Sequence, residues 1–407
     1  MSENDDSRAS NNKEEEDETE SSYNINSWDD LELPDDILRG IYSCGFEKPS
    51  PIQQKAIKPI MMGKDIIAQA QSGTGKTATF SIGALSKIDI NKNETQVLIL
   101  SPVRELTIQT SSVINSIGSL MESDKKEHLR VQTAFGGSTY NDYSGFSNKN
   151  TPHVICGCPG RVYDMMRRDK MSAASIKLVI LDEADEMLSS GFKEQVYNIF
   201  QYFRDDIQIA LFSATLPESV KPIIKKIMRD PVRISVKAEM LTLEGIRQFF
   251  VAVDDDRQKY ATLKHLFSYL SMSQCIIYCN SVKRVCDLYD AMREDEFPVC
   301  CIHSNMDTAT RSASFNQFKT GSSRVLISSN VTARGIDIQQ VGVVINFDLP
   351  KDIHTYLHRI GRSGRWGRKG TGINFVTRRD IGKMKEIERH YATEIRELKL
   401  ENLSLLS

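Results

Sequence analysis

The chain has 407 residues, 40% of them hydrophobic and 26% charged, an ordinary globular composition in a length that favours two cores over one. No apolar run reaches membrane-span length and the N-terminus begins polar and acidic, so neither a membrane helix nor a secretory signal is expected. The net charge of −2 is uneven, because residues 1–27 carry nine acids against Arg8 and Lys13, a net of −7 that leaves +5 for the body.

Residues 1–27, acidic and poor in apolar side chains, read as a disordered tail. The mildly basic remainder permits a polyanionic partner. Along residues 28–236, short runs rich in β-branched residues alternate with stretches of helical period. These runs are Asp65–Ala68, Gln96–Leu100, His153–Ile155, Lys177–Leu181 and Gln208–Phe212. The segment Ser138 to Thr151, rich in Ser, Asn and Gly, reads as a loop or a poor helix. A linker is placed at residues 237–245, and the pattern restarts over residues 246–407 with Cys275–Tyr278, Arg324–Ile327, Val341–Ile345 and Ile373–Val376. Near-continuous apolar strands between helices indicate parallel sheets covered on both faces. Right-handed crossovers then gather the loops after the strands on one edge of each sheet. The fold class is α/β, two tandem parallel-sheet domains.

The eight cysteines make no disulfide framework. Cys156 with Cys158, Cys275 with Cys279, and Cys300 with Cys301 fit no zinc spacing. They read as reduced core thiols of a reducing compartment.

The segment Ala70-Gln71-Ser72-Gly73-Thr74-Gly75-Lys76-Thr77 follows a strand and opens a helix, the setting a phosphate-binding loop requires. Its glycines let backbone N–H groups close on phosphate oxygens, and the helix N-terminus favours an anion. Lys76 would reach the β- and γ-phosphates of ATP, and Thr77 would place its hydroxyl on Mg²⁺. Ala70 stands where the general pattern has Gly. Downstream, Asp182-Glu183-Ala184-Asp185 ends an apolar strand. A carboxylate there is the expected second anchor for Mg²⁺ (Asp182), and Glu183 is placed to orient or deprotonate the attacking water.

With these two motifs in order, the chain from about Trp28 onward resembles the DEAD-box RNA helicases, and within them the translation initiation factor 4A branch. The resemblance implies RecA-like domains and assigns further residues. Gly45–Gln53 would read adenine, Phe46 by stacking and Gln53 by its amide. Asp337 in Ala333–Asp337 would meet the ribose, and Arg362 and Arg365 in His358–Arg365 would act as arginine fingers. Asp185, Ser213, Thr215 and His358 would couple ATP to strand separation, while Arg104, Gly137, Arg161 and Arg311 would hold RNA.

The RNA-side motifs depart from the family pattern. Val103 and Cys158 each replace a Thr, Thr308 replaces a Gln, Ser304-Asn305 replaces Gly-Asp, and Ser329-Asn330 replaces Thr-Asp. Two lost neutral hydrogen bonds would cost about one to two decades in RNA affinity. The expected activity is an ATP-dependent helicase, a monomer that grips single-stranded RNA through phosphates and 2′-hydroxyls and opens short duplexes locally. A clamp that nucleates ribonucleoprotein complexes is the alternative, and a DNA helicase a remoter one. The resemblance also implies a helical-repeat scaffold partner of the initiation factor 4G type. The lack of a dense Lys/Arg cluster points to the cytoplasm.

Overall fold

The computed structural model describes residues 23–71, 73–136, 150–189, 191–236, 246–269, 274–333, 341–363 and 370–398. Most of the acidic tail, the linker, Ser72, Gly137, Asp337 and Arg365 lie outside these residues. The chain divides into two compact units, Met1–Lys237 and Ala238–Ser407.

The first unit holds β1 (Ile66–Gln69), β2 (Val97–Leu100), β3 (Val131–Ala134), β4 (Val154–Gly157), β5 (Leu178–Asp182), β6 (Gln208–Ser213) and β7 (Val232–Ser235). They form one parallel sheet in the order β3-β4-β2-β5-β6-β1-β7. Period-two alternation sends Val97 and Ile99 into one core and Leu98 and Leu100 into the other. The first core is closed by α1 (Asp35–Ser43), α2 (Pro51–Met61), α3 (Lys76–Leu85) and α4 (Arg104–Ile117). The second is closed by α5 (Pro159–Arg167), α6 (Ala184–Met187), α7 (Lys193–Phe200) and α8 (Lys221–Ile227). With both faces covered, the central strands admit little but Ile, Leu, Val and Ala, which is why they stand out in the sequence.

The second unit repeats the plan. β8 (Ile246–Ala252), β9 (Cys275–Tyr278), β10 (Val299–Ile302), β11 (Val325–Ser328), β12 (Val343–Asn346), β13 (Gly370–Val376) and β14 (Arg396–Glu397) pair in parallel in the order β10-β11-β9-β12-β13-β8-β14. Its helices are α9 (Gln258–Tyr269), α10 (Val282–Glu294), α11 (Thr308–Lys319), α12 (Ile353–Ile360) and α13 (Ile381–Tyr391). The strands the apolar-run reading passes over are β3, β7, β8, β10 and β14. β3, β7, β10 and β14 lie at or next to the sheet edges, and β8 interrupts its apolar residues with Arg247 and Gln248. No helix among the described residues is long and apolar enough to cross a membrane. All eight cysteines are free thiols, four of them buried (Cys156, Cys275, Cys279, Cys300).

The fit of α1 against α4 depends on a close backbone approach. A Cβ on Gly40 would lie 1.8 Å from the Ile117 carbonyl oxygen. Gly40→Ala is therefore expected to push the two helices apart and destabilise the first unit by about 1–3 kcal/mol in urea unfolding. An unchanged midpoint would show that the helices separate without loss.

Candidate functional site

The order β5-β6-β1 sets three loops side by side on the C-terminal edge of the first sheet. Register fixes their depth: Gln69 pairs with Ser213, and Asp182 with Phe212. Ala70 N–H donates to the Ser213 carbonyl at 3.0 Å, which extends the ladder one residue into the phosphate-binding loop.

That loop turns through Gly73 (φ 86°) and Gly75 (φ 99°) before α3 begins at Lys76. Gly75 is required twice over. Its backbone is left-handed, and a Cβ would stand 2.9 Å from Gln53 Nε2 and 3.0 Å from Ser50 Oγ. Those two side chains hold the loop: Ser50 Oγ donates to the Thr74 carbonyl at 2.8 Å, and Gln53 Nε2 reaches the Gly75 carbonyl at 3.5 Å. Gln53 Oε1 accepts from Ser50 N–H at 2.6 Å, closing a capping box on α2. The amide assigned to adenine is thus turned onto the loop. Phe46, half-buried against the first core, is fixed by Trp28, whose Nε1 donates to the Phe46 carbonyl at 2.9 Å. Trp28 itself is fully buried.

Lys76 Nζ donates to the Ala70 carbonyl at 2.8 Å and lies within electrostatic reach of Asp182. Asp182 and Glu183 are both buried, and one Glu183 carboxylate oxygen has no hydrogen-bond partner. Glu183 stands in the left-handed region (φ 53°) where β5 gives way to α6. Burial, reinforced by Glu183 and partly offset by Lys76, pushes the Asp182 carboxyl up to about 7. A pair of buried carboxyls, one left with an unmatched oxygen, beside a lysine is an oxygen-donor set suited to Mg²⁺. Asp185, which lies within electrostatic reach of Asp182, is tied to the loop after β6. Its carboxylate accepts from Thr215 Oγ1 at 2.6 Å, and its N–H donates to Ser213 Oγ at 3.3 Å, so the loops after β5 and β6 are bonded directly.

On the same edge, β2 and β4 are neighbours and lead into α4 and α5. Val103 and Cys158 occupy the N-cap positions of these helices, and neither caps with its side chain. A Thr there would accept from the first-turn N–H groups. Each substitution therefore changes a helix end as well as a surface hydroxyl. Cys158 Sγ lies 3.5 Å from Thr107 Oγ1, within hydrogen-bond reach. Arg104 opens α4 with its guanidinium 4.8 Å over the Phe135 ring, and Arg161 in the first turn of α5 pairs with Asp164 at 3.4 Å.

In the second unit Arg311 lies in the first turn of α11, which Asp307 caps through the N–H groups of Ala309 and Thr310. Arg362 and His358 are buried, and Arg362 Nε donates to the His358 carbonyl at 3.3 Å. Sequence reasoning missed Arg359, which is fully buried. It donates to Asn330 from Nε and Nη2 (3.0 and 2.6 Å), to Asn346, to Asn280 and to the Asp348 carbonyl. Asn330, which replaces a family Asp, thus supplies a neutral acceptor to the Nε–Nη2 edge of a buried guanidinium.

A phosphate-binding loop, buried carboxyls and a second parallel-sheet unit define a P-loop ATPase with two tandem domains. Family models described as DEAD/DEAH box helicase and helicase conserved C-terminal domain match residues 50–223 and 258–367, and the chain belongs to the DEAD-box RNA helicases. It is an ATP-dependent RNA helicase. It is 50% identical over 383 residues to eukaryotic initiation factor 4A of Cryptosporidium parvum, covering 94% of this chain and 93% of that protein. It is 47% identical over 374 residues to eukaryotic initiation factor 4A of Caenorhabditis elegans, covering 92% and 91%. Among solved structures it resembles S. cerevisiae Dbp5 bound to RNA and ADP BeF3, with a TM-score of 0.85 and 33% identity over 94% of this chain and 99% of that one.

The raised Asp182 carboxyl has a consequence for stability. Folding holds its proton from near pH 4, where the unfolded carboxyl titrates, up to about 7. The contribution is full below that window and lost as pH rises through it. In EDTA, the unfolding free energy of the wild type should fall from pH 5 to pH 8 by roughly 3 kcal/mol more than that of Asp182→Asn. Equal pH dependence in the two proteins would refute this account.

Proposed function

We propose that the chain binds ATP with Mg²⁺ at the first unit and uses hydrolysis to release single-stranded RNA, opening short duplexes locally as an initiation factor of the 4A kind. The observation that carries the proposal is the bonded line Lys76–Ala70–Ser213 and Ser213–Asp185–Thr215, which joins the nucleotide loop to the loops after β5 and β6. Backbone N–H groups of Gly73 to Thr77 and the end of α3 receive the phosphates, with Lys76 leaving the Ala70 carbonyl for a phosphate oxygen. Thr77 and Asp182 hold Mg²⁺, which would neutralise charge developing on the phosphates. Glu183 takes the proton of the attacking water through its unmatched oxygen. Phe46 meets the base, and so does Gln53 once its amide turns from the Ser50 N–H and the Gly75 carbonyl; Asp337 meets the ribose, and Arg362 and Arg365 the transferred phosphoryl group.

RNA is held through its backbone by Arg104, Gly137 and Arg161 on the first unit and Arg311 on the second. The adjacent N-termini of α4 and α5 carry no side-chain cap at Val103 and Cys158, so neither position offers a hydroxyl to the RNA backbone. ATP and RNA then favour one closed state and tighten each other's binding. A helical-repeat scaffold of the initiation factor 4G type is the proposed protein partner. The two uncapped helices also favour a second reading, a clamp that binds RNA with ATP and unwinds little. Strand displacement with ATP and with a non-hydrolysable analogue separates the two, since a clamp displaces little with either.

Glu183→Gln is expected to keep ATP binding and to lose RNA-stimulated ATPase by about 10²–10⁴-fold. If RNA fails to stimulate the wild type at all, the helicase reading fails. Val103→Thr with Cys158→Thr should add about 1–2 kcal/mol to the stability of the first unit through restored caps. The same change should lower the RNA concentration for half-maximal ATPase about tenfold. Unchanged half-saturation would show that neighbouring groups already serve the phosphates.

A further inference from the structure

A hollow of about 1180 Å³ opens on the outer surface of the second core, between α7 and α8. Val196, Tyr197 and Phe200 of α7 form one wall, and Ile223 and Ile227 of α8 form the other. These spacings turn one apolar stripe of each helix toward the gap. Only part of each stripe is used by the core. Val196 is buried, but Phe200, Ile223 and Ile227 are partly open, and Tyr197 keeps 57% of its surface exposed. Phe203 meets Phe200 edge to face, with ring centroids 5.6 Å apart, and closes the end where the chain turns into β6. Ile207 and Met228, just before β6 and β7, line the same end. The hollow therefore runs toward the edge of the sheet opposite the phosphate-binding loop.

Charge around the hollow is unequal. Lys193, Arg204, Lys226 and Arg229 stand about it against Glu194 and Asp205. The α8 side is wholly basic, with no acid between Lys221 and Arg229. Lys193 and Lys226 are exposed, and among the described residues neither has an ion-pair partner. The lining holds no histidine or cysteine and its two carboxylates are exposed, so nothing there is set up for bond chemistry. We propose that the hollow docks an acidic amphipathic helix of a partner protein. The apolar stripe of that helix lies between Tyr197 and Ile223, and its acidic flank rests on Lys226 and Arg229. The eight residues of α7 offer about 12 Å of wall, some two turns of a docked helix. The chain's own acidic tail answers the charge but not the stripes, since Met1 and Ala9 are the only apolar side chains in residues 1–22. RNA would set phosphates against Glu194 and Asp205 and leave the aliphatic wall unused.

The test uses the full chain and a displayed library of helix-forming peptides about 16 residues long, roughly 24 Å of helix. Selected sequences should carry Leu, Ile, Phe or Trp at helical spacing and a net negative charge. The leading sequence, made as a free peptide, should bind more weakly as salt is raised. Tyr197→Ala and, independently, Lys226→Glu should each weaken it at least tenfold. Tyr42→Ala, at an exposed tyrosine of α1, should leave it unchanged. Tyr197 and Lys226 are both exposed, so the fold tolerates their replacement. Selection that recovers nothing above background, or recovers basic sequences, overturns the assignment, as does binding that survives either substitution. Binding that appears only after removal of residues 1–22 would make the tail the occupant and also overturns it. A higher RNA requirement for half-maximal ATPase in Lys226→Glu would give the surface to RNA instead. Peptide binding is read without ATP or RNA, so its failure leaves the proposed function standing.

Discussion

The insertion of β6 between β1 and β5 is the constraint on which the first unit depends. Parallel pairing has no freedom in register once both faces are buried, because a one-residue slip would exchange the two cores. With Ile66 opposite Ala210 and Leu178 opposite Gln208, the ends of all three strands arrive at one depth. The loop that takes phosphate, the carboxyls and the Ser213–Thr215 turn are therefore neighbours by construction. The Thr215–Asp185 bond needs only the correct side chains at those ends.

Much of this was legible in the sequence because buried parallel strands and phosphate loops both tolerate few residue types. The runs ending at Leu181 and Phe212 and the glycines of the loop marked the site directly. The parts that stayed hidden depend on distant pairing. Gln53 reads as a residue for adenine, yet what places it is Gly75, 22 residues on. Trp28 reads as the start of a domain and holds the Phe46 carbonyl. Val103 and Cys158 look like lost RNA contacts, and only the helix boundaries show them to be lost caps as well.

Arg359 shows how a buried cation can be accommodated without a close carboxylate. Burial lowers its guanidinium to about 10, so it remains protonated at neutral pH. Asn280, Asn330 and Asn346 with the Asp348 carbonyl take its N–H groups, and the guanidinium lies 5.2 Å over the Tyr278 ring. Neutral acceptors satisfy the donors without adding a second ion to desolvate. The substitution that looks costly as a lost charge is thus absorbed by amide geometry.

The backbone at Glu183 carries a separate implication. A non-glycine residue at φ 53° costs about 1–2 kcal/mol relative to the right-handed region. The turn from β5 into α6 therefore runs uphill at the position whose side chain is proposed to act as the base. Asn or Gly would relax that turn, and either would silence the carboxylate. Folding and chemistry pull in opposite directions at this residue, and variants selected for stability alone would drift away from Glu183 first.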